Sequence, residues 1–414
     1  MSTLRQRAPI VVLSPDVTDD ESRLVDESVT PFTPPDFTVK DLLNAIPKHC
    51  FERNGWRSSA HLLVDILLVS GLFYAATFID GAFGEHGSVL SGVQGTVAKY
   101  SVWSAYWFAQ GLAMTGTGTG HTDRDEVFVP RTRSEVGAKA TGEGKKKMFG
   151  MKEVEELLED VPIYRLFWLL AQQTLGWPLY IMKNASGQKR YPKWTNHFNP
   201  SAIIFDKRHR QDVLLSDAAL LAVAGLLYAV KTQIGGANLV KFYVVPYFWV
   251  NHWLVMITYL QHTDPIIPHY RPSQWSFPRG ALSTMDRNLL GPIGPYILHG
   301  ICETHGQTFA RASGEILLTS LRPATVAHHV ASKIPHYHAW EATEALKQLL
   351  GPHYLATDEN MFYSLWQSYR RCRFVDEDEQ VVFYKDSYGN VSRRVQLSEK
   401  LVDSGVDFEE EEIE

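Results

Sequence analysis

A nearly unbroken apolar run extends from His61 to Ile79, with the sequence HLLVDILLVSGLFYAATFI. At a rise of about 1.5 Å per residue, a helix of this length comes close to crossing a hydrocarbon core of about 30 Å. Three further runs occupy residues 97–114, 213–230 and 239–260. Together the four segments predict an all-α integral membrane protein with two transmembrane hairpins, and therefore about four spans.

A fifth apolar segment, residues 161–182, differs from the other four in its polar content. It carries Arg165, Gln172, Gln173 and Pro178. Charged and amide side chains are costly inside a hydrocarbon core, so this pattern favours an interfacial or re-entrant helix over a full span.

Polar segments flank the apolar region. Residues 1–40 contain no continuous apolar stretch of the signal-peptide type and predict a disordered tail. Residues 41–385 are interpreted as one membrane domain, and residues 386–414 as an acidic C-terminal tail. A basic cluster, Lys145–Lys147, favours the cytosolic side for the loop between the hairpins. Both termini are expected in the cytosol.

Charge and cysteine content narrow the function classes. The formal net charge of −6 gives no excess of positive charge, so a nucleic-acid partner is not expected. Three cysteines, Cys50, Cys302 and Cys372, lie far apart and match no metal-ligand or disulfide spacing. They are interpreted as reduced thiols.

Several motifs are far more specific than the hydropathy. They include IPKHCFER (46–53), GHTDRDEVFVPRTRSEVG (120–137), HFNPSAIIFDKRHR (197–210) and YLQHTDPIIPHYRPSQWSFPRGALST (259–284), followed by VAHHVASKIPHYHAWEATEALK. With these motifs the chain resembles the membrane fatty acid desaturases, and within them the fungal oleate Δ12 type. The resemblance covers most of residues 40–385 and implies a cytosolic, His-rich helical cap above the two hairpins.

The resemblance also implies an activity and its cofactor. Members of the family activate O2 at a non-haem di-iron centre, held by about eight neutral imidazoles that suit ferrous iron. An endoplasmic reticulum enzyme of this type introduces a Δ12 double bond into the oleoyl chain of a membrane lipid or another acyl carrier. Electrons come from cytochrome b5 and its reductase, expected here as separate proteins.

The implied histidine set is incomplete in this chain. Family members carry an HxxxH-like and an HxxHH-like box before the motif GHxxRDEVFVP, whereas this chain runs from Met114 through TGTGTG to His121. The third box, HVAHH, is interrupted by residues 306–325. The resemblance therefore leaves four candidate iron ligands, which are His262, His305, His328 and His329.

Residues 306–325 have the features of an insertion. Without them the sequence reads ETHVAHHVASKIPHYHAW, with no other change. We hypothesise that they translate a retained intron and that the missing boxes reflect a skipped or mispredicted exon. Sequencing the transcript across both junctions tests this, and a message that encodes the chain as printed contradicts it.

Other interpretations stay open from the sequence. The chain could be a catalytically inactive membrane paralogue or a lipid-binding scaffold, or an acetylenase, hydroxylase or ω3 relative on the same scaffold. The remaining motif histidines, including His49, His269 and His338, are assigned hydrogen-bonding or surface roles.

Overall fold

Helices make up most of the computed structural model, which describes residues 29–83, 92–116, 128–136, 161–290 and 325–396. A π-helical turn occurs at Val240–Val244, and short 3-10 turns occur at Lys48–Phe51, Lys207–His209 and Gly351–His353. The helices are α1 (Val39–Ala45), α2 (Gly55–Ala76), α3 (Ile79–Ala82), α4 (Gly92–Gly116), α5 (Arg133–Val136), α6 (Pro162–Lys183), α7 (Arg210–Ile234), α8 (Gly236–Leu239), α9 (Val245–His262), α10 (Phe277–Ala281), α11 (Thr325–Val330), α12 (His336–Leu350) and α13 (Met361–Arg371).

Short strands join segments that are far apart in the sequence. They form three pairs: β1 (Thr30–Phe32) with β6 (Arg393–Val395), β2 (His269–Tyr270) with β5 (Val381–Val382), and β3 (Asp286–Arg287) with β4 (Ala356–Thr357). The β2–β5 pair is antiparallel and the other two are parallel. The β1–β6 pair lies outside the boundaries of 41 and 385 expected for the membrane domain.

Two helices in the described part of the chain are long and apolar enough to cross a membrane, namely Gly55–Ala82 and Lys207–Ile234. Their apolar side chains face outward, as illustrated by Leu67 at 62% and Leu221 at 75% exposure. Continuous apolar surface of this kind is rare on proteins that contact only water and marks a contact with lipid or with another protein. The mostly helical fold predicted from the sequence is confirmed.

Helix α9 lies at the centre of the packed helices. Trp253, Met256, Ile257 and Leu260 are almost completely buried on it. They pack in one cluster with apolar side chains of α4, α6 and α13. The C-terminal end of α9 is therefore held rigidly from several sides.

Helices α4 and α9 approach each other most closely at Gly111. A Cβ atom on this residue would lie 2.2 Å from the Cβ atom of Trp249 and 3.1 Å from the carbonyl oxygen of Pro246. Such a short distance between two backbones requires a residue without a side chain, as in other helix pairs in membranes.

Replacement of Gly111 by valine is expected to lower the free energy of unfolding by about 1–3 kcal/mol, because the two helices must separate. Denaturant titration of the purified chain in mild detergent micelles measures this. Gly71→Val in α2 is the matched control, since a Cβ atom at Gly71 meets no heavy atom within 4 Å. Equal losses for both variants would contradict the close approach.

A second core joins the N-terminal segment to the C-terminal helices. Helix α1 begins at a capping box, in which Thr38 Oγ1 accepts from the Asp41 N–H and the Asp41 carboxylate accepts from the Thr38 N–H. Leu42 on this helix is completely buried and packs in one cluster with Ala327 of α11 and Leu346 of α12. The cluster packs α11 against α1 and α12.

Candidate metal centre

Two of the predicted ligands meet where α9 and α11 end. His262 is the last residue of α9, because Thr263 adopts an extended backbone with φ −126° and ψ 92°. His329 lies in the last turn of α11, and its ring centroid is 5.0 Å from that of His262, with the rings at 78° to each other. Two imidazoles at this distance can turn their nitrogens toward one metal ion.

The other two predicted ligands are His328 and His305. The His328 ring lies 6.0 Å from the His329 ring on the same helical turn. His305 lies outside the described residues. The structure therefore places His262 close to His329, with His328 beside His329 on the same helix.

A buried carboxylate holds α11 in place. Asp286 of β3 is completely buried, and its Oδ1 accepts a 3.0 Å hydrogen bond from the Val326 N–H at the start of α11. Its Oδ2 accepts from the Tyr354 hydroxyl. Burial raises the pKa of Asp286, although both hydrogen bonds oppose this change. The carboxylate fixes the helix that carries His328 and His329.

A direct contact also joins α9 to α11. Gln261, the neighbour of His262, donates a 2.9 Å hydrogen bond from its Nε2 to Thr325 Oγ1, and both residues are buried. The Gln261 carbonyl oxygen accepts from the Met285 N–H at 3.1 Å. These bonds fix the distance between the two histidine-bearing turns.

Arg287 holds the end of α9. Its guanidinium is 3% exposed, donates a 2.7 Å hydrogen bond to the Leu260 carbonyl oxygen and forms an ion pair with Asp264. The carbonyls in the last turn of a helix lack partners within the helix. Arg287 supplies one, and its charge is favourable at this end of the helix dipole.

His269 lies next to this centre. Burial, and then the proximity of His262, lower the pKa of His269 to about 4, so its imidazole is neutral near pH 7. Its ring lies 5.0 Å from the Tyr384 ring. Within the described part of the chain, His269 Nε2 is buried without a hydrogen-bond partner. The sequence predicts a hydrogen-bonding or surface role for His269 and does not predict its position next to His262.

The described histidines supply only part of a metal centre. Neutral imidazoles are good ligands for ferrous iron, and His262 and His329 approach each other from two helices. The implied family arrangement uses about eight such donors for a pair of irons. The donors among the described residues therefore do not fit the complete di-iron centre.

The supporting residues were not identified from the sequence. Asp286 and Arg287 stand at the start of the motif DRNLLGPIGP, which is part of the family resemblance but carries no histidine. The only sequence signal for these two residues was the adjacency of an acidic and a basic side chain in this motif. Their roles depend on partners that are distant in the sequence, such as Val326 and Tyr354.

Comparisons with known proteins agree with this architecture. A family model described as a domain of unknown function (DUF3474) matches residues 4–75. A Δ12 fatty acid desaturase of Mortierella alpina is 36% identical over 397 residues, covering 85% of this chain and 91% of the relative. The chain belongs to the fatty acid desaturases. As a member of that family, the desaturase is an oxidoreductase.

Two further relatives extend the comparison. An oleate hydroxylase of Claviceps purpurea is 34% identical to this chain over 424 residues, covering 86% of this chain and 81% of the relative. An endoplasmic reticulum omega-6 fatty acid desaturase of Brassica juncea is 33% identical over 394 residues, covering 84% of this chain and 90% of the relative. The resemblance seen in the sequence motifs is thereby confirmed.

Proposed function

We propose that this chain has the scaffold of an acyl-lipid Δ12 desaturase. With a complete set of histidine boxes, such an enzyme converts oleoyl into linoleoyl chains with O2 and electrons from separate cytochrome b5 and its reductase. The similarity to Δ12 desaturases of two Mortierella species carries the proposal. The name of the Brassica juncea relative supports the endoplasmic reticulum membrane as its location.

We further propose four membrane crossings. Helices α2 and α4 form the first hairpin, α7 and residues 236–262 form the second, and α6 lies at the interface. Contacts between the two hairpins support this arrangement, because Lys99 of α4 and Lys241 of the π-helical turn both pair with Asp80 of α3. Asp80 and Lys99 lie near the connection between α2 and α4, and Lys241 lies in the connection between α7 and α9. His262 lies at the opposite end of α9. We place His262 and the helical cap on the cytosolic side, together with both termini.

In this proposal His262, His305, His328 and His329 are the iron ligands that the chain retains. When complete, the iron pair supplies the oxidising power for removing two hydrogens from the acyl chain. The residues of the chain position the imidazoles: Arg287 fixes the end of α9, and Asp286 and Gln261 fix α11. Turnover requires the two histidine boxes that are absent between Met114 and His121.

Expression in a yeast that makes no linoleate tests the proposal. One strain carries the chain as it stands. A second carries a repaired chain, in which residues 306–325 are removed and the two-box segment of the Mortierella alpina relative is inserted between Thr115 and Gly120. The control is the repaired chain with His329→Ala, and fatty acid methyl esters are analysed by mass spectrometry.

Linoleate is expected from the repaired chain alone. Diene from the unrepaired chain would contradict the need for the missing boxes. Failure of the repaired chain to form any product would overturn the proposed activity. A hydroxylated oleate would instead assign the activity named for the Claviceps purpurea relative.

A further inference from the structure

A second group of metal-binding side chains lies outside the desaturase centre. His49 and Cys50 belong to the 3-10 turn Lys48–Phe51, and His338 and Glu341 to the first turns of α12. One ligand atom from each of the four residues lies within 4.8 Å of every other. Two segments in which His49 and Glu341 lie 292 positions apart thus present two nitrogens, one sulfur and one oxygen to a single point.

The individual distances describe a tight arrangement. His49 Nε2 lies 2.8 Å from Glu341 Oε1, and Cys50 Sγ lies 3.8 Å from His49 Nε2. His338 Nδ1 lies 3.8 Å from Glu341 Oε2, as expected for residues three apart on one helical face. Around a tetrahedral zinc ion, ligand atoms are about 3.3–3.8 Å apart. Small side-chain rotations therefore suffice to create the site.

The cluster of His49, Cys50, His338 and Glu341 is buried on one side and open to solvent on the other. Cys50 is completely buried in the cluster that contains Leu42 and Leu346, so its position is set by the core. The side chains of His49 and Glu341 are 51% and 41% exposed. A metal ion can therefore enter from solvent and bind against a sulfur that the core holds in place.

We propose that His49, Cys50, His338 and Glu341 bind one Zn2+ ion. A thiolate with imidazole and carboxylate ligands favours zinc over magnesium or calcium, which prefer oxygen ligands only. The thiolate and the carboxylate together neutralise the charge of the ion. With all four positions filled by protein the site is structural, and it fastens the N-terminal segment to α12.

Metal analysis of the purified full chain in detergent micelles tests this. After incubation with zinc chloride and gel filtration, the His329→Ala chain, whose desaturase centre lacks a ligand, is expected to hold one zinc per molecule. Cys50→Ser and His338→Gln are each expected to weaken zinc binding by more than about tenfold. Cys372→Ser is the matched control and is expected to keep the zinc. The use of the His329→Ala chain separates this site from the desaturase centre.

Cobalt(II) gives a second, independent measurement. In the unsubstituted chain and in Cys372→Ser, the sulfur-to-cobalt charge-transfer absorption is expected, and in Cys50→Ser it is expected to be absent. Glu341→Gln alters only a partly exposed side chain, so it provides a variant in which loss of zinc cannot be attributed to a disrupted core. Zinc content that is unchanged in Cys50→Ser and Glu341→Gln, or absent from the unsubstituted chain, would overturn the proposal.

Discussion

Arg287→Met is expected to lower the free energy of unfolding by about 3–5 kcal/mol. The reason is that the Asp264 carboxylate loses its ion-pair partner and the Leu260 carbonyl oxygen loses its hydrogen-bond donor in a largely buried site. The guanidinium is 3% exposed, pairs with Asp264 and donates to the Leu260 carbonyl oxygen. Methionine has a similar length, so the substitution removes the charge and the donors without leaving a large cavity. Denaturant titration in detergent micelles measures the loss.

Two comparisons establish the cause of that loss. Arg370→Met, on an exposed face of α13, is expected to change stability by less than about 0.5 kcal/mol. In the double variant Arg287→Met with Asp264→Asn, part of the loss is expected to be recovered, since the carboxylate left behind is no longer charged. Additive losses from the two substitutions would contradict a direct ion pair.

Removal of residues 306–325 is expected to raise the affinity of the desaturase centre for a divalent metal by about 100-fold. The deletion places His305 three residues before His328 and four before His329, on one face of a continued helix. In the unaltered chain, bringing His305 to the same ion requires closure of a loop of this length, at a cost on the order of 2–3 kcal/mol. This cost corresponds to the expected gain in affinity.

Cobalt(II) titration in the Cys50→Ser background measures this affinity without a contribution from the proposed zinc site. The shortened chain with His305→Ala is the control, and its affinity is expected to fall back toward that of the unaltered chain. An affinity that does not change on deletion would mean that His305 is not a ligand, and would weaken the assignment of residues 306–325 as an insertion into a metal site.

The helices were predictable because their signal is local. Residues 61–79 lie within the helical stretch Gly55–Ala82, and residues 97–114 lie within α4. An apolar run of this length has few alternatives to a helix, since each backbone group must find a partner within its own segment. The π-helical turn before α9 has no such signal, because it depends on contacts that Lys241 makes with Asp80 and Trp107, which are distant in the sequence.

The candidate site was predictable only in part. His262, His328 and His329 were predicted as ligands from motifs. The rings of His262 and His329 lie 5.0 Å apart, and ligation of a metal by these residues stays a prediction. Asp286 was not assigned, because its hydrogen-bond partners lie 40 and 68 positions away. The cluster of His49 and Glu341 joins residues 292 positions apart. Periodicity within a helix or strand contains no information about contacts at such distances.

The pairing of β1 with β6 limits how the chain can traverse a bilayer. Thr30 and Arg393 are aligned partners in that parallel pair, so in the four-span arrangement proposed above the two ends of the described part of the chain lie in one aqueous compartment. A chain that leaves and returns to the same compartment crosses an even number of times. An arrangement with three crossings, in which α4 or α9 alone fails to traverse, is therefore incompatible with this pair. Asparagine glycosylation acceptors can be introduced, in separate variants, before residue 30 and after residue 396. Both acceptors should be glycosylated in cells, or both should remain unmodified.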